Sequence, residues 1–204
     1  MSIGDAEIKT QERVIRFFKD PEILGYQYIG NLSDYQNKNI KEDRLRQYLR
    51  LKGYADKLID AAVMQLQQEA GNLSRGVYDA NKTVYSRLKY GIPVSESPEK
   101  PPVTVELIDE ANPLNNDFAI AEEVTVVEQQ EKRPDLVIYL NGIAVAVIEL
   151  KRSSISVSEG IRQNLTNQKD SFIRGFFTTM QFCMAGNESE GLRYGTLLTG
   201  EKFY

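Results

Sequence analysis

The sequence contains no histidine. That absence removes Ser-His-Asp and Cys-His nucleophilic catalysis, zinc sites built on histidine, and histidine general bases. Hydrolytic chemistry in this chain would have to run on carboxylates, lysine and a hard metal ion. Cysteine is nearly absent as well. The single Cys183 makes no intrachain disulfide and no CxxC zinc site, and it fits a reducing cytosol, so a cytoplasmic location is expected. The longest apolar run, Ile143 to Ile148, is far too short to span a bilayer, and residues 1–12 are polar with no signal-peptide core, so no membrane partner is expected. Tryptophan is missing too, which decides nothing. Nor is there an excess of positive charge: 25 Lys and Arg face 29 Asp and Glu, a net charge of −4. Any surface for a polyanion must therefore be local. What remains is ordinary for a globular protein, with 41 % hydrophobic and 26 % charged residues. A chain of 204 residues fits one domain and can bury a core without staples.

Periodicity divides the chain into a mainly helical part, residues 1–94, and a sheet part, residues 103–204. Thr10 is placed to cap a helix running to about Phe18, with Val14, Ile15, Phe17 and Phe18 bracketing one face and Pro21 beyond its end. Gly25–Ile29 reads as a short strand. Leu45, Tyr48 and Leu49 predict a helix over 41–52. Leu58, Ile59, Ala62, Val63 and Leu66 predict another, capped by Asp56. Ser74 is positioned to open a fourth, to about Tyr90. Three prolines make 95–102 a linker. Beyond it the period becomes two: strands are expected over Val103–Leu107, 118–128, Asp135–Leu140 and Ile143–Leu150, with weaker ones at Met180–Ala185 and Arg193–Leu198. Asn141-Gly142 between two apolar runs is a strong hairpin signal. The nearly all-apolar run before Glu149 predicts a central strand covered on both faces. A helix over 158–172, capped by Ser156 or Ser158, follows. The expected fold class is α/β (α+β): a central mixed sheet of about five strands flanked by helices, with a helical N-terminal part.

The chemistry sits in Arg133-Pro134-Asp135 and Glu149-Leu150-Lys151. Asp135 begins one hairpin strand and Glu149 ends its partner, so the hairpin brings both carboxylates to one end of the sheet. Glu149 and Lys151, two apart, share a face, and Leu150 points the other way. Charged groups at the end of an apolar strand must be paired, solvated or bound to a metal. Two converging carboxylates suit Mg²⁺, which takes about six oxygens at roughly 2.0–2.1 Å and keeps several waters. The backbone carbonyl of Leu150 is the expected third ligand. Such an ion grips a phosphate oxygen and acidifies a bound water, while Lys151 positions that water and offsets phosphate charge. This is the PD-(D/E)xK nuclease signature, Pro134-Asp135…Glu149-x-Lys151.

Around it, RPDLVIYLNGIAVAVIELKRS (133–153) resembles the N-terminal nuclease domain of the restriction (motor) subunit of type I restriction–modification enzymes. NDFAIAEEVTV (116–126), QERVIRFF (11–18), GYQYIGN (25–31), RQNLTNQ (162–168) and GLRYGTLLTGEKFY (191–204) extend the likeness over nearly the whole chain. The resemblance implies a restriction-endonuclease-like fold over 1–204, with an ATP-driven translocase beyond Tyr204; no GxxxxGK[ST] phosphate loop occurs here. It further implies cleavage of double-stranded DNA after translocation, in a complex with methyltransferase (M) and specificity (S) subunits. Asp135 and Glu149 go to the metal and Lys151 to catalysis. Gln163 takes the place of a glutamine that this family carries in a Q-x-x-x-Y element, although the fourth residue on is Asn167; Gln168, followed by Phe172, is the second choice. Glu12 reads equally as an acid brought to the metal from an early helix or as a first-turn glutamate stabilised by the helix dipole. Arg133 and Arg152 flank the motif as candidates for DNA phosphates. Arg44, Arg46 and Arg50, with Lys52, are either a basic strip for DNA or a solvated helix face. Two other readings remain: a degenerate nuclease fold used for docking, and a standalone repair or recombination nuclease of the same fold.

Overall fold

The computed structural model describes residues 3–97 and 99–204. Its centre is the hairpin closed by Asn141-Gly142. Asn141 and Gly142 have φ of 51° and 83°, the left-handed pair of a turn whose twist matches right-twisted strands. Glycine is required at the second position, because a Cβ there would sit 2.6 Å from the Lys41 carbonyl oxygen. Asn141 is fully buried, with its amide donating to the Leu107 carbonyl and to Asn116, both at 2.8 Å. The turn is thereby tied to the loop before the sheet.

The hairpin strands are β7 (Leu136–Leu140) and β8 (Ile143–Leu150). With β1 (Gln27–Asn31), β4 (Phe118–Glu122), β9 (Phe182–Asn187) and β10 (Gly191–Gly195) they form a six-stranded mixed sheet in the order β1-β4-β7-β8-β9-β10. β1 runs parallel to β4, β8 parallel to β9, and the other neighbours are antiparallel. Tyr139 pairs with Ala144 and Ile138 with Ala146, so Val145 is the extra residue of a bulge. Beyond it, Ala146, Ile148 and Leu150 point into one core with Ile15, and Val147 points into another with Phe177 and Cys183. The strand before Glu149 is thus central and covered on both faces, as its composition predicts.

Helix α1 (Ile3–Lys19) covers the first face. Helices α2 (Glu42–Leu51) and α3 (Asp56–Gly71) bury the stripes read from the sequence, while α4 (Val77–Tyr90) buries Val77, Ala80, Val84 and Leu88 and leaves Tyr78 and Tyr85 exposed. Val77 and the 3₁₀ turn Arg174–Thr179 close the second face. Helix α5 (Val157–Asn167) packs on β8 and β9, with Ser156 as its N-cap. A two-stranded ribbon, β2 (Ile92–Val94) with β3 (Val103–Val105), joins the helical core rather than the central sheet. The predicted linker lies between these two strands; its Pro98 is outside the described residues.

Several boundaries differ from expectation for identifiable reasons. Helix α1 begins before Thr10, and Phe17 on it is half exposed. Ala55, not Asp56, is the N-cap of α3. Ser74 is drawn into a turn with Asn72, its hydroxyl 2.6 Å from Asn72 Oδ1, so α4 opens after Gly76. Residues 118–128 do not make one strand: Glu123, at φ 51°, ends β4, and β5 (Val126–Val127) pairs separately with β6 (Glu131–Lys132). Helix α5 stops at Asn167, where Gln168 turns its amide to Cys183 and Leu198. Among the described residues, no helix is long and apolar enough to cross a membrane.

Candidate active site

Asp135 stands one residue before β7, held through the backbone. The Pro134 and Asp135 carbonyls accept from Val124 and Glu123 N–H at 3.0 and 2.8 Å. Its carboxylate Oδ2 accepts from the Leu150 N–H at 2.6 Å. That bond continues the β7–β8 ladder by one rung, with a side-chain oxygen in place of a backbone carbonyl. Asp135 is thus fixed against the peptide that joins Glu149 to Leu150.

Glu149 lies on the face opposite Leu150, beneath α5. Gly160 lets the helix come this close, since a Cβ there would lie 3.0 Å from Ala185 Cβ and 3.5 Å from Glu149 Cβ. Glu149 is 0 % exposed. Its Oε2 accepts from Gln163 Nε2 at 2.6 Å, while Oε1 is buried with no hydrogen-bond partner. Burial pushes the Glu149 carboxyl well above the usual carboxylate range, and the adjacent Asp135 pushes it further; half-buried Lys151 pulls the other way, and Glu123 adds a smaller upward push. A fully buried carboxylate with one oxygen unpaired beside a second carboxylate is costly as it stands, and a cation relieves it. An oxygen donor set of two carboxylates suits a hard cation such as Mg²⁺. Among the described residues there is no group of three or more acidic, His or Cys side chains close enough to enclose a metal. Two carboxylates leave coordination positions for a main-chain oxygen, water and phosphate, as that ion prefers.

The structure brings together Asp135, Glu149 and Lys151 at one end of the sheet, with Gln163 beside them. Gln163 holds the Glu149 carboxylate rather than Lys151. Gln168, the second choice, serves packing: its Oε1 accepts from the Leu198 N–H at 2.7 Å. Asn167 is buried, and its carbonyl accepts from the Ile173 N–H. Glu12 is exposed, and the residue of α1 that reaches the acidic end is its neighbour Gln11. Arg133 is 56 % exposed and pairs with Glu123 at 2.7 Å; Arg152 is half-buried next to Lys151.

The arginines of α2 lie on a helix face where each has an acidic partner. Arg44 pairs with Asp117, Arg46 with Glu42 and Asp60, Arg50 with Asp56, and Lys52 with Asp109. These pairs lie within the fold, and α2 packs at the turn end of the hairpin, where Lys41 N–H donates to the Gly142 carbonyl, opposite the acidic end. Missed in the sequence were Gln11 and Glu123. Gln11 is buried and donates to Glu122 Oε2 at 2.9 Å and to Glu123 Oε1 at 3.1 Å. The doubled glutamate at the end of β4 was the available signal, hidden by reading 118–128 as one strand.

The fold and this acidic hairpin end define a mixed α/β protein with a two-carboxylate site. Residues 7–203 match the family described as type I restriction enzyme R protein N terminus, and the chain belongs to that family. It is 33 % identical over 97 residues to a Methanocaldococcus jannaschii protein provisionally named type I restriction enzyme MjaIXP endonuclease subunit, a match covering 44 % of this chain and 9 % of that protein. It is 29 % identical over 85 residues to the type I restriction enzyme SsaAORF53P endonuclease subunit of Staphylococcus saprophyticus, covering 42 % of this chain and 9 % of that protein. The chain thus matches about a tenth of the length of these relatives.

Proposed function

We propose that this chain is the PD-(D/E)xK nuclease domain of a type I restriction enzyme, and that it hydrolyses phosphodiester bonds of double-stranded DNA with Mg²⁺ as cofactor. The observation that carries this reading is the buried, unpartnered Glu149 oxygen beside Asp135 at the strand end. Asp135 and Glu149 would hold the ion, with the Leu150 carbonyl as a further ligand. The ion would supply Lewis-acid stabilisation of phosphate charge and a more acidic attacking water. The protein's own groups then do the rest. The Leu150 N–H fixes Asp135, and Gln163 fixes one Glu149 oxygen so that the other is free to bind. Lys151 offsets charge on the phosphate and orients the attacking water. Arg133 and Arg152 meet the DNA backbone, where contacts position the duplex without reading its sequence.

In the longer protein, the reading continues, a translocase that binds and hydrolyses ATP delivers DNA to this single domain, and M and S subunits complete a cytoplasmic complex that chooses the site. The test uses the intact enzyme. Asp135→Ala, Glu149→Ala and Lys151→Ala should each abolish cleavage of circular DNA and leave ATP hydrolysis unchanged. A variant that cuts at the wild-type rate would remove its residue from the mechanism. Normal cleavage by all three would reduce the domain to a docking module.

A further inference from the structure

Glu123 has more holding it than a surface ion pair needs. Its backbone sits in the left-handed region, uncommon for a residue other than glycine. Its N–H donates to the Asp135 carbonyl at 2.8 Å, which places it directly across from the first carboxylate of the site. Its Oε1 accepts from Gln11, a residue of α1 that is 8 % exposed, and its Oε2 accepts from Arg133 Nε at 2.7 Å. The same Gln11 amide gives its other proton to Glu122, whose Oε1 also takes the Tyr28 hydroxyl at 2.5 Å. A neutral amide thus clamps two adjacent carboxylates without cancelling their charge. Across Asp135, on β8, the Glu149 Oε1 is buried and unpartnered.

We propose that Glu123, positioned by Gln11, is the outer carboxylate of the cation site, binding a water of the ion's hydration shell beside Asp135 and Glu149. The inference rests on the reading of those two residues as metal ligands. Glu123 does not join them as a direct ligand, since the described residues hold no three-acid cluster. Mg²⁺ keeps several waters, and those waters need acceptors. A carboxylate locked by two donors beside Asp135 is such an acceptor, and outer-shell groups typically change metal affinity 10–100-fold.

The test is calorimetric titration of Mn²⁺ into this chain and into Glu123→Gln, Glu122→Gln and Asp135→Ala, each first shown by circular dichroism to unfold in EDTA like the wild type. Glu122→Gln removes the same charge from the same strand end, so it separates position from long-range attraction. Glu123→Gln should raise Kd about tenfold or more, Glu122→Gln should stay within about twofold, and Asp135→Ala should abolish binding. If Asp135→Ala abolishes binding but Glu123→Gln binds no worse than Glu122→Gln, the role of Glu123 is overturned and the metal site stands. If Asp135→Ala binds like the wild type, the metal reading and the inference fall together.

Discussion

Replacing Glu149 by glutamine should stabilise the metal-free fold while removing its function. Once ionised, the wild-type side chain holds one buried oxygen with no donor beside the Asp135 carboxylate. Leaving a buried polar group unsatisfied costs about 1–3 kcal/mol, more when it is charged. Glutamine has the same shape. Its carbonyl oxygen can keep the Gln163 bond, and its NH₂ can donate toward Asp135. The expected gain is about 1–3 kcal/mol in EDTA at neutral pH. For a chain of this size each kcal/mol moves Tm by roughly 2–4 °C, so the midpoint should rise by roughly 2–12 °C. The gain depends on pH. The folded-state pKa of Glu149 lies well above 4.5, so the native state keeps its proton where the unfolded chain has lost it. Wild-type stability is therefore full below about 4.5 and falls as pH rises toward the folded pKa. The difference between variant and wild type should be smallest near pH 4.5 and largest at neutral pH and above. Scanning calorimetry in EDTA across that range reads both quantities. A variant less stable than the wild type at pH 7.5, or a difference that does not change with pH, would refute the strained-carboxylate argument.

Gln163→Ala should weaken Mn²⁺ binding 10–100-fold, because it removes the amide that holds the Glu149 carboxylate at 2.6 Å; calorimetric titration checks this, and unchanged affinity would return the glutamine to a bystander. Gly160→Val should cost about 1–3 kcal/mol by forcing α5 off Ala185 and Glu149, read as a lower urea midpoint at constant slope. The Cys183 thiol, fully buried and pushed by that burial up to about 12, should resist a thiol reagent in the native protein at pH 8 and react at once in denaturant.

The hairpin and its acidic end were legible because each signal there is local. Asn141-Gly142 sets the turn, the apolar run sets a covered strand, and a two-residue spacing sets which face Glu149 takes. The helix stripes of α2 and α3 were legible for the same reason. What stayed hidden depends on contacts distant in sequence. Gln11 and Glu123 are 112 residues apart, and nothing in the pattern of either segment says that they meet. One position on α1 decides between Gln11 and Glu12, and that is set by how the helix lies on the sheet rather than by its composition. The ion pairs of the α2 arginines were hidden in the same way. The spacing of these arginines suggests a strip, but their partners are Glu42 one turn earlier on α2, Asp56 and Asp60 of α3, and Asp117 before β4.

The most direct test of the metal site is anomalous diffraction from crystals of this chain soaked in Mn²⁺. A single strong peak in contact with the Asp135 and Glu149 carboxylates, lost in Asp135→Ala crystals, is the predicted result. Full Mn²⁺ occupancy elsewhere, with Glu149 still unbound beneath α5, would contradict it.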